Sequence, residues 1–283
     1  MPKSHMAQSQ MSGVERGISA VTDVAPDGVR TCMVRATGVR KTFGVGTEPT
    51  RQVLELSLTV RKGEFLTVFG PNGCGKSTLL NLVAGFLQPD SGELTSDFGP
   101  LERIRKCYVW QNYRDALLPW CNVWQNIAFP LKLAGVRRSE RRERAIELMQ
   151  RFRIHINPRA HVYRLSGGEQ QIVSILRGLI IEPEIMLLDE PFTALDYQFN
   201  LVMQDMIMEI WSRTGITMMF VSHDVDQAIL LADRLVLLSP SPGRVLEVFE
   251  NRLPRPRSAH MLGAEEHIAL KRRILELFQG NAR

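Results

Sequence analysis

Directly after a short apolar run, the chain reads Gly70-Pro71-Asn72-Gly73-Cys74-Gly75-Lys76-Ser77-Thr78. This segment fits the pattern G-x-x-x-x-G-K-[ST], in which glycines let the backbone wrap closely around a phosphate group. The preceding residues 65–69 read as a strand buried on both faces, and residues 77–84 have helical propensity. Because strand, loop and helix follow in this order, the pattern favours a phosphate-binding loop over a glycine turn beside a surface lysine.

The residue types in this loop predict a nucleoside triphosphate as the ligand. Backbone N–H groups and the N-terminus of the following helix offer positive potential to phosphate oxygens. Lys76 is expected to neutralise the β- and γ-phosphate oxygens, and the Ser77 hydroxyl can ligate Mg²⁺. The predicted cofactors are therefore ATP and Mg²⁺.

A second acidic element follows another apolar run, in Ile185-Met186-Leu187-Leu188-Asp189-Glu190-Pro191. A buried strand would deliver both carboxylates to the edge of a sheet. Asp189 is then placed to hold the magnesium ion, and Glu190 to orient or deprotonate an attacking water. An acidic pair after a strand also serves as a helix cap. Its position downstream of the glycine loop favours the catalytic interpretation.

Strand and helix patterns around these segments predict an α/β fold. Residues 54–60 alternate between apolar and polar, residues 61–64 form a polar turn, and we expect a hairpin-like start leading into residues 65–69. Apolar runs at 185–188, 217–221 and 234–238 are separated by helical segments, which indicates a parallel sheet. The nucleotide is expected at the carboxyl ends of its strands.

Composition limits the class of protein. The chain has 283 residues and a formal charge of +5, which favours a solvated basic face over a nucleic-acid or membrane surface. Its four cysteines form no CxxC pair and no zinc spacing, so we expect reduced thiols of a cytosolic protein. No apolar run is long enough to span a bilayer, and the N-terminal residues lack the apolar region of a signal peptide.

The segment Leu165-Ser166-Gly167-Gly168-Glu169-Gln170-Gln171 resembles the signature of the ABC ATPases, whose LSGGE form it matches. Ser166 and the glycine N–H groups would open a helix whose positive end can face an anion. An ordinary serine helix cap is the simpler interpretation. Since the glycine loop already serves one ATP, the resemblance implies that Ser166, Gly167, Gly168 and Glu169 contact the γ-phosphate bound by a second subunit.

Other residues match further motifs of this family, in the same order along the chain. Gln111 matches the Q-loop glutamine that reaches magnesium and the lytic water, and Ala194-Leu195-Asp196 matches the D-loop at the dimer interface. His223 matches the switch histidine that contacts the γ-phosphate, although a single histidine at a strand end is often structural. Phe43 stands where the family stacks an aromatic ring on adenine, with a core position as the alternative.

The sequence also departs from the family pattern. Ile172 replaces the arginine that usually follows the signature glutamine, and Gly178 replaces a small alanine in the same helix. We expect these changes to leave the phosphate chemistry intact and to affect the contacts of the dimer.

Two segments resemble the nitrate, sulfonate, taurine and bicarbonate import ATPases, namely Asp115-Ala116-Leu117-Leu118-Pro119-Trp120 and Leu238-Ser239-Pro240-Ser241-Pro242-Gly243-Arg244. An exposed apolar segment near Trp120 would suit a coupling helix of a membrane subunit. Alternatively, Trp120 and Trp124 both pack inside a helical subdomain.

We expect a flexible N-terminal tail (1–31) and a C-terminal connector with a helix (251–283) from composition and residue pattern, and the resemblance implies an ABC ATPase domain (32–250) between them. Within the ATPase domain, an N-terminal antiparallel β subdomain and a helical signature subdomain (about 112–180) accompany the parallel-sheet core. The C-terminal part is expected either to pack on the domain or to act as a regulatory appendage.

The implied function is ATP hydrolysis that powers the import of a small anion, at the cytoplasmic face of the plasma membrane. The implied partners are a second ATPase subunit, identical or related, a membrane permease and, indirectly, a solute-binding protein, with no nucleic acid. A soluble ABC ATPase acting on nucleic acid or ribosomes is the alternative, although the chain lacks the insertions or second cassette of such proteins.

Overall fold

The structure is a computed structural model that describes residues 31–44, 51–193 and 196–281. The strands are β1 (Cys32–Phe43), β2 (Arg51–Arg61), β3 (Phe65–Phe69), β4 (Ser91–Thr95), β5 (Lys106–Val109), β6 (Ile185–Asp189), β7 (Thr217–Ser222), β8 (Arg234–Leu238) and β9 (Val245–Glu250). The helices are α1 (Lys76–Ala84), α2 (Tyr113–Ala116), α3 (Val123–Ile127), α4 (Phe129–Leu133), α5 (Arg138–Arg151), α6 (Gly167–Leu179), α7 (Tyr197–Thr214), α8 (Val225–Leu231) and α9 (Glu265–Gly280). The predicted tail, apart from its last residue, and residues 194 and 195 lie outside the described residues.

The larger sheet has the strand order β5-β6-β7-β3-β8-β9. Its neighbouring strands pair in parallel from β5 to β8, and β9 is antiparallel to β8. Strands β3, β6, β7 and β8 are buried along their whole length because helices or a second sheet cover both faces. The predicted α/β core with a parallel sheet is confirmed.

The smaller sheet is antiparallel, with the order β2-β1-β4. Its inner face consists of alternate apolar residues of β1 and β2, which share one core with the buried leucines of α1 and residues of β3. Helix α1 therefore lies against both sheets, and the glycine loop that precedes it is held between them. The predicted N-terminal antiparallel β subdomain is confirmed.

The predicted hairpin-like start is wrong. Strand β2 pairs with β1, whereas β3 pairs with β7 and β8 in the other sheet. The turn between them crosses from one sheet to the other. The reason is burial: β2 has one apolar face and suits the outer sheet, but the fully apolar β3 is stable only in the centre of a covered sheet.

Helices α2 to α6 form the helical part expected from the sequence, and no strand is present among the described residues between 112 and 180. Their apolar side chains join the core on one face of the larger sheet. Ile172 is buried in this core, so the departure at this position serves packing of α6.

The second departure, Gly178, is explained by a cysteine on the neighbouring strand. A Cβ atom on Gly178 would lie 1.8 Å from Cys107 Sγ, which is far below any contact distance. Cys107 is buried on β5, and burial raises the pKa of its thiol to about 12. The thiol therefore fills the space that a methyl group at position 178 would need.

We predict that Gly178→Ala lowers the free energy of unfolding by about 1–3 kcal/mol, the usual cost of overpacking. Adding Cys107→Ala removes the sulfur and should recover part of this loss, so the two effects are not additive. Urea-induced unfolding of the single and double variants measures the loss of unfolding free energy and the part of it that is recovered.

Gly280→Ala is the matched control, because a Cβ atom at this helical glycine meets no atom within 4 Å. We expect unchanged or slightly higher stability for this variant. A Gly178→Ala protein as stable as the unaltered chain would show that the sulfur moves aside at no cost.

Candidate functional site

The glycine loop connects the end of β3 to the start of α1, as predicted. Gly75 is the residue before the helix and has a φ of 100°, in the left-handed region that favours glycine. A Cβ atom here would also lie 2.9 Å from the carbonyl oxygen of Val53. The loop can therefore adopt this backbone conformation only with glycine at position 75.

Lys76 points back into the loop. Its Nζ donates to the carbonyl oxygens of Gly70 at 2.9 Å and Pro71 at 3.1 Å, and lies 3.8 Å from Glu190 Oε1. The side chain is buried. A buried ammonium held by neutral carbonyls keeps a strong attraction for an anion, since it has lost most of its hydration.

Asp189 lies at the end of β6 beside the start of α1. Its Oδ1 accepts a hydrogen bond from Ser77 Oγ at 3.0 Å, and its Oδ2 accepts one from the Tyr108 hydroxyl at 2.9 Å. Burial raises the pKa of Asp189 above its ordinary value, although these two hydrogen bonds oppose the shift. A cation at this carboxylate would offset the cost of its burial.

Tyr108 is a site residue that the sequence analysis missed. Burial, followed by the charge and hydrogen bond of Asp189, raises the pKa of the Tyr108 hydroxyl, which keeps it a donor. A tyrosine in a short strand carries no motif. Only the pairing of β5 with β6 shows that this hydroxyl reaches Asp189.

Glu190 is the point where the predicted catalytic residues meet. Its Oε2 lies 3.0 Å from His223 Nδ1 and accepts a long hydrogen bond of 3.5 Å from Gln111 Nε2. Thr193, which the sequence analysis also missed, donates from Oγ1 to Glu190 Oε2 at 3.3 Å. Strands β5, β6 and β7 deliver the other side chains from their carboxyl ends, as expected for a parallel sheet.

The backbone of Glu190 is in an unusual conformation. Its φ is 44°, in the left-handed region that non-glycine residues rarely adopt. The Val221 carbonyl accepts its N–H at 3.2 Å and the Thr193 hydroxyl donates to its carbonyl at 3.1 Å. Such strain is typical of residues whose side-chain direction matters for function.

These residues line one cleft of about 560 Å³. Its walls comprise the glycine loop and the residues around Glu190, namely Val53, Asn72, Gly73, Gly75, Lys76, Ser77, Thr78, Gln111, Glu190, Thr193 and His223. Gly70, Pro71 and Cys74 form the base of the loop behind it, and Cys74 is buried. The cleft is polar, contains a buried cation and is large enough for a polyphosphate.

The signature residues lie elsewhere. Ser166 caps α6, where its Oγ accepts from the Glu169 N–H at 3.3 Å and Glu169 Oε2 accepts from the Ser166 N–H at 2.8 Å. Gly168 makes room for Phe199, whose ring a Cβ atom would approach to 2.1 Å. None of Ser166, Gly167, Gly168 and Glu169 lines the cleft of this chain.

Two more predicted contact residues lie outside the cleft lining. Phe43, near the end of β1, is 43% exposed, which excludes a core position within this chain. Asp196 caps α7, with Oδ1 accepting from the Phe199 N–H at 3.0 Å. The other two D-loop residues are outside the described residues.

The two tryptophans that the sequence analysis treated together have different environments. Trp124 is only 7% exposed and belongs to the helical core, whereas Trp120 is 73% exposed. Exposed Phe86 and Trp110 stack with ring centroids 5.5 Å apart, and Tyr108 contacts both rings. Tyr108 thus links surface aromatic residues to the buried Asp189.

The fold and the cleft are those of a P-loop nucleoside triphosphatase. Within this class, a sequence profile of the ABC transporter family matches residues 53–193. The taurine import ATP-binding protein of Escherichia coli O157:H7 is 40% identical over 224 residues, which cover 78% of this chain and 86% of that protein. The protein of the same name from Yersinia pestis bv. Antiqua (strain Antiqua) is 41% identical over 195 residues, covering 68% of this chain and 76% of that protein.

Solved structures of ABC proteins have the same fold. An ATP-binding cassette in a dimeric post-hydrolysis state with ADP and Pi superimposes with a TM-score of 0.68 at 28% identity, covering 78% of this chain and 100% of that chain. A part of the cbiONQ ABC transporter complex of Clostridium perfringens gives 0.71 at 24% identity, covering 88% and 99%, and supports the fold alone.

The chain therefore belongs to the ABC transporter family. It is an ATP-binding subunit, an ATPase whose hydrolysis of ATP is coupled to transport. Among the described residues, no helix has the length and apolar character needed to cross a membrane.

Proposed function

We propose that this chain powers an ABC importer for a small anion, in the class of sulfonates such as taurine, together with nitrate and bicarbonate. The observation that carries the proposal is the meeting of Lys76, Asp189, Glu190 and His223 at one cleft that lacks the signature residues. Relatives named taurine import ATP-binding proteins, at about 40% identity, support the importer class.

ATP would bind with its phosphates in the glycine loop. The N–H groups of residues 72–78, at the N-terminus of α1, would donate to the phosphate oxygens, and Lys76 would leave the loop carbonyls for the β- and γ-phosphates. Phe43, half-exposed beyond the loop, would offer its ring to the adenine.

The donor set around Asp189 fits Mg²⁺. The Ser77 hydroxyl and the Asp189 carboxylate lie within hydrogen-bond distance of each other, and Gln111 lies across the cleft. Among the described residues, no group of three or more His, Cys, Asp or Glu side chains could hold a metal ion. These few protein oxygen ligands suit an ion that takes its remaining ligands from water and phosphate, as Mg²⁺ does. When bound, Mg²⁺ would neutralise charge on the phosphates.

Hydrolysis would depend on Glu190. Its carboxylate is positioned to orient the attacking water or to accept its proton, with His223 and Thr193 holding Oε2. His223 would exchange its contact with Glu190 for the γ-phosphate. Gln111 would complete the site on the side of α2.

A second copy or a related subunit would complete the site. The helix end at Ser166 is exposed and lies outside this chain's cleft, so it can reach an ATP bound elsewhere. Two subunits arranged head to tail would hold two ATP molecules between the loop of one and the signature of the other, with Asp196 at the interface. Closure of the pair would then drive the attached permease.

The permease is expected to dock on the exposed aromatic residues Phe86, Trp110 and Trp120. Large exposed apolar residues mark interaction surfaces; Phe86 and Trp110 stack on each other, and Trp120 is 73% exposed. Tyr108 contacts the rings of Phe86 and Trp110 and donates to Asp189, which offers a path from permease to ATP. The subunit would lie peripherally at the cytoplasmic face of the membrane, indirectly served by a solute-binding protein and without nucleic acid.

We predict that Trp120→Ala lowers recovery of a membrane-spanning partner by at least about tenfold, the effect of losing a strong interface residue. Because Trp120 does not line the cleft, ATP affinity should stay unchanged. The measurement is affinity purification from detergent-solubilised membranes of the native cells, followed by mass spectrometry and by ATP titration of the purified subunit.

Leu133→Ala is the control, since Leu133 is a similarly exposed apolar residue on α4. Equal recovery of the partner by all three proteins would remove Trp120 from the docking surface. Co-purification of nucleic acid or ribosomes in place of a membrane protein would support a soluble ABC ATPase and contradict the transport proposal.

A further inference from the structure

The switch histidine depends on the short helix α8. His223 lies two residues before α8 begins at Val225, and its imidazole is 51% exposed with Glu190 as its hydrogen-bond partner. Asp224 caps the helix by accepting from the N–H groups of Asp226 and Gln227. A seven-residue helix is unstable in isolation, so its position must come from tertiary contacts.

The C-terminal segment, residues 251–281, holds the first turn of α8. Asp226 accepts from His267 Nε2 through Oδ1 at 3.0 Å and from Lys271 Nζ through Oδ2 at 2.7 Å. His267 is 0% exposed. Burial raises the pKa of Asp226, but hydrogen bonds from Lys271 and His267 lower it by more, so the net shift is downward and the carboxylate stays ionised.

The same segment holds the other end of α8. The last carbonyls of a helix have no partner within the helix and must find one elsewhere. Asn251 Nδ2 donates to the carbonyls of Ile229 at 2.6 Å and Ala232 at 3.0 Å. Arg255 donates to the Leu231 carbonyl at 2.8 Å, and buried Arg257 donates to Ala232 as well.

Apolar contacts fasten α9 to the base of the nucleotide loop. Ile274 of α9 is fully buried in a cluster with α8 and β8. Phe278 packs on Phe69 with ring centroids 5.5 Å apart, and Phe69 is the last residue of β3 before the glycine loop. One C-terminal element therefore contacts both the end of the strand that leads into the glycine loop and the helix that follows the switch histidine.

We infer that the C-terminal segment positions the switch histidine, with His267 and Lys271 as positioning residues that act through Asp226. The inference rests on the proposed role of His223. Loss of the His267 donor would free the first turn of α8 and let His223 move away from Glu190. The nucleotide loop would keep its own contacts, because Lys76 is held by Gly70 and Pro71.

The test compares steady-state ATP hydrolysis by His267→Leu and His267→Gln in the full chain. Leucine keeps the volume without the donor, whereas glutamine places an amide nitrogen at the same number of bonds from Cα and restores the hydrogen bond. We expect His267→Leu to lower kcat about tenfold with little change in KM for ATP, the range for a misplaced catalytic group. His267→Gln should recover most of the loss.

Lys271→Met tests the second contact without disturbing a buried site, and Arg272→Met is its matched control. Both substitutions remove one positive charge from α9, but Arg272 is exposed, and the two α9 side chains bonded to the Asp226 carboxylate are those of His267 and Lys271. We expect a fall in kcat only for Lys271→Met. Equal kcat values for the two variants would overturn the role of Lys271.

A double-mutant cycle with His223→Ala separates positioning from general stability. If His267 acts through His223, then His267→Leu lowers kcat no further in the His223→Ala background. The inference would be overturned if His267→Leu lowered kcat by the same factor in the His223→Ala background as in the unaltered chain. It would also be overturned if His267→Leu raised KM for ATP and left kcat unchanged. Full activity of His223→Ala alone would instead contradict the proposed function of His223, so the two failures are distinguishable.

Discussion

Glu190→Gln is expected to reduce steady-state ATP hydrolysis by about 100-fold or more while ATP binding persists. The amide keeps the shape of the side chain and its contacts with His223 and Thr193, but it cannot accept a proton from water. The substitution also removes a negative charge 3.8 Å from Lys76 and close to where the γ-phosphate would lie. Affinity for ATP should therefore stay equal or rise.

The second consequence of this substitution is a trapped assembly. If reopening of the paired subunits requires hydrolysis, then Glu190→Gln should accumulate an ATP-bound dimer. Size-exclusion chromatography with light scattering, with and without Mg-ATP, measures its mass, and phosphate release measures turnover. Glu182→Gln, a neutralised glutamate outside the cleft, should behave as the unaltered protein. Full ATPase activity of Glu190→Gln would reject Glu190 as the catalytic residue.

Lys76→Ala is expected to weaken ATP binding by roughly 10- to 100-fold, because a hydrogen bond to a charged group contributes roughly 1.5–3 kcal/mol and each 1.4 kcal/mol corresponds to about a factor of ten. The loop would lose the one buried ammonium that faces its phosphate position. The carbonyls of Gly70 and Pro71 would also lose their donor, and Glu190 would lose its nearest cation. Titration with a fluorescent ATP analogue measures the change in Kd.

Lys132→Ala provides the control for Lys76→Ala, since Lys132 is an exposed lysine on α4 away from the cleft. Its Kd for the nucleotide should be unchanged. If Lys76→Ala bound ATP as tightly as this control, residues 70–78 would not be the phosphate-binding loop.

The core elements could be predicted because their signals are local. The apolar run of β3, the glycine loop and the start of α1 follow each other directly, and each has a residue pattern of its own. Strands β1, β4, β5 and β9 were not identified, because partly exposed strands have mixed patterns. The hairpin between β2 and β3 was predicted wrongly since pairing partners are set by distant strands.

The residues of the candidate site were also predictable from the sequence only where they belong to a local motif. Gln111, Asp189, Glu190 and His223 could be proposed from their order along the chain. The structure brings Gln111, Glu190 and His223 together at the cleft, and Asp189 is bonded to Ser77, which lines it. Tyr108 has no motif and was found only through its contact with Asp189. Their roles in binding and hydrolysis stay predictions that the variants above will test.

The sequence also left alternatives that required the tertiary structure. Trp120 and Trp124 are tryptophans four positions apart in the chain, yet one is exposed and the other buried. The C-terminal residues were expected either to pack on the domain or to act as a regulatory appendage, and in the structure α9 packs against α8. In each case the burial of a side chain depends on which other elements of the fold pack against it.

By itself, the amino-acid sequence determined the phosphate loop, the acidic strand end and the family, because these depend on residues adjacent in the chain. The tertiary structure alone decided which side chains reach Asp189, why Gly178 stands beside Cys107, and how α9 holds the helix after His223. These contacts join residues far apart in the chain. No local pattern encodes them, since they arise only when helices and strands pack.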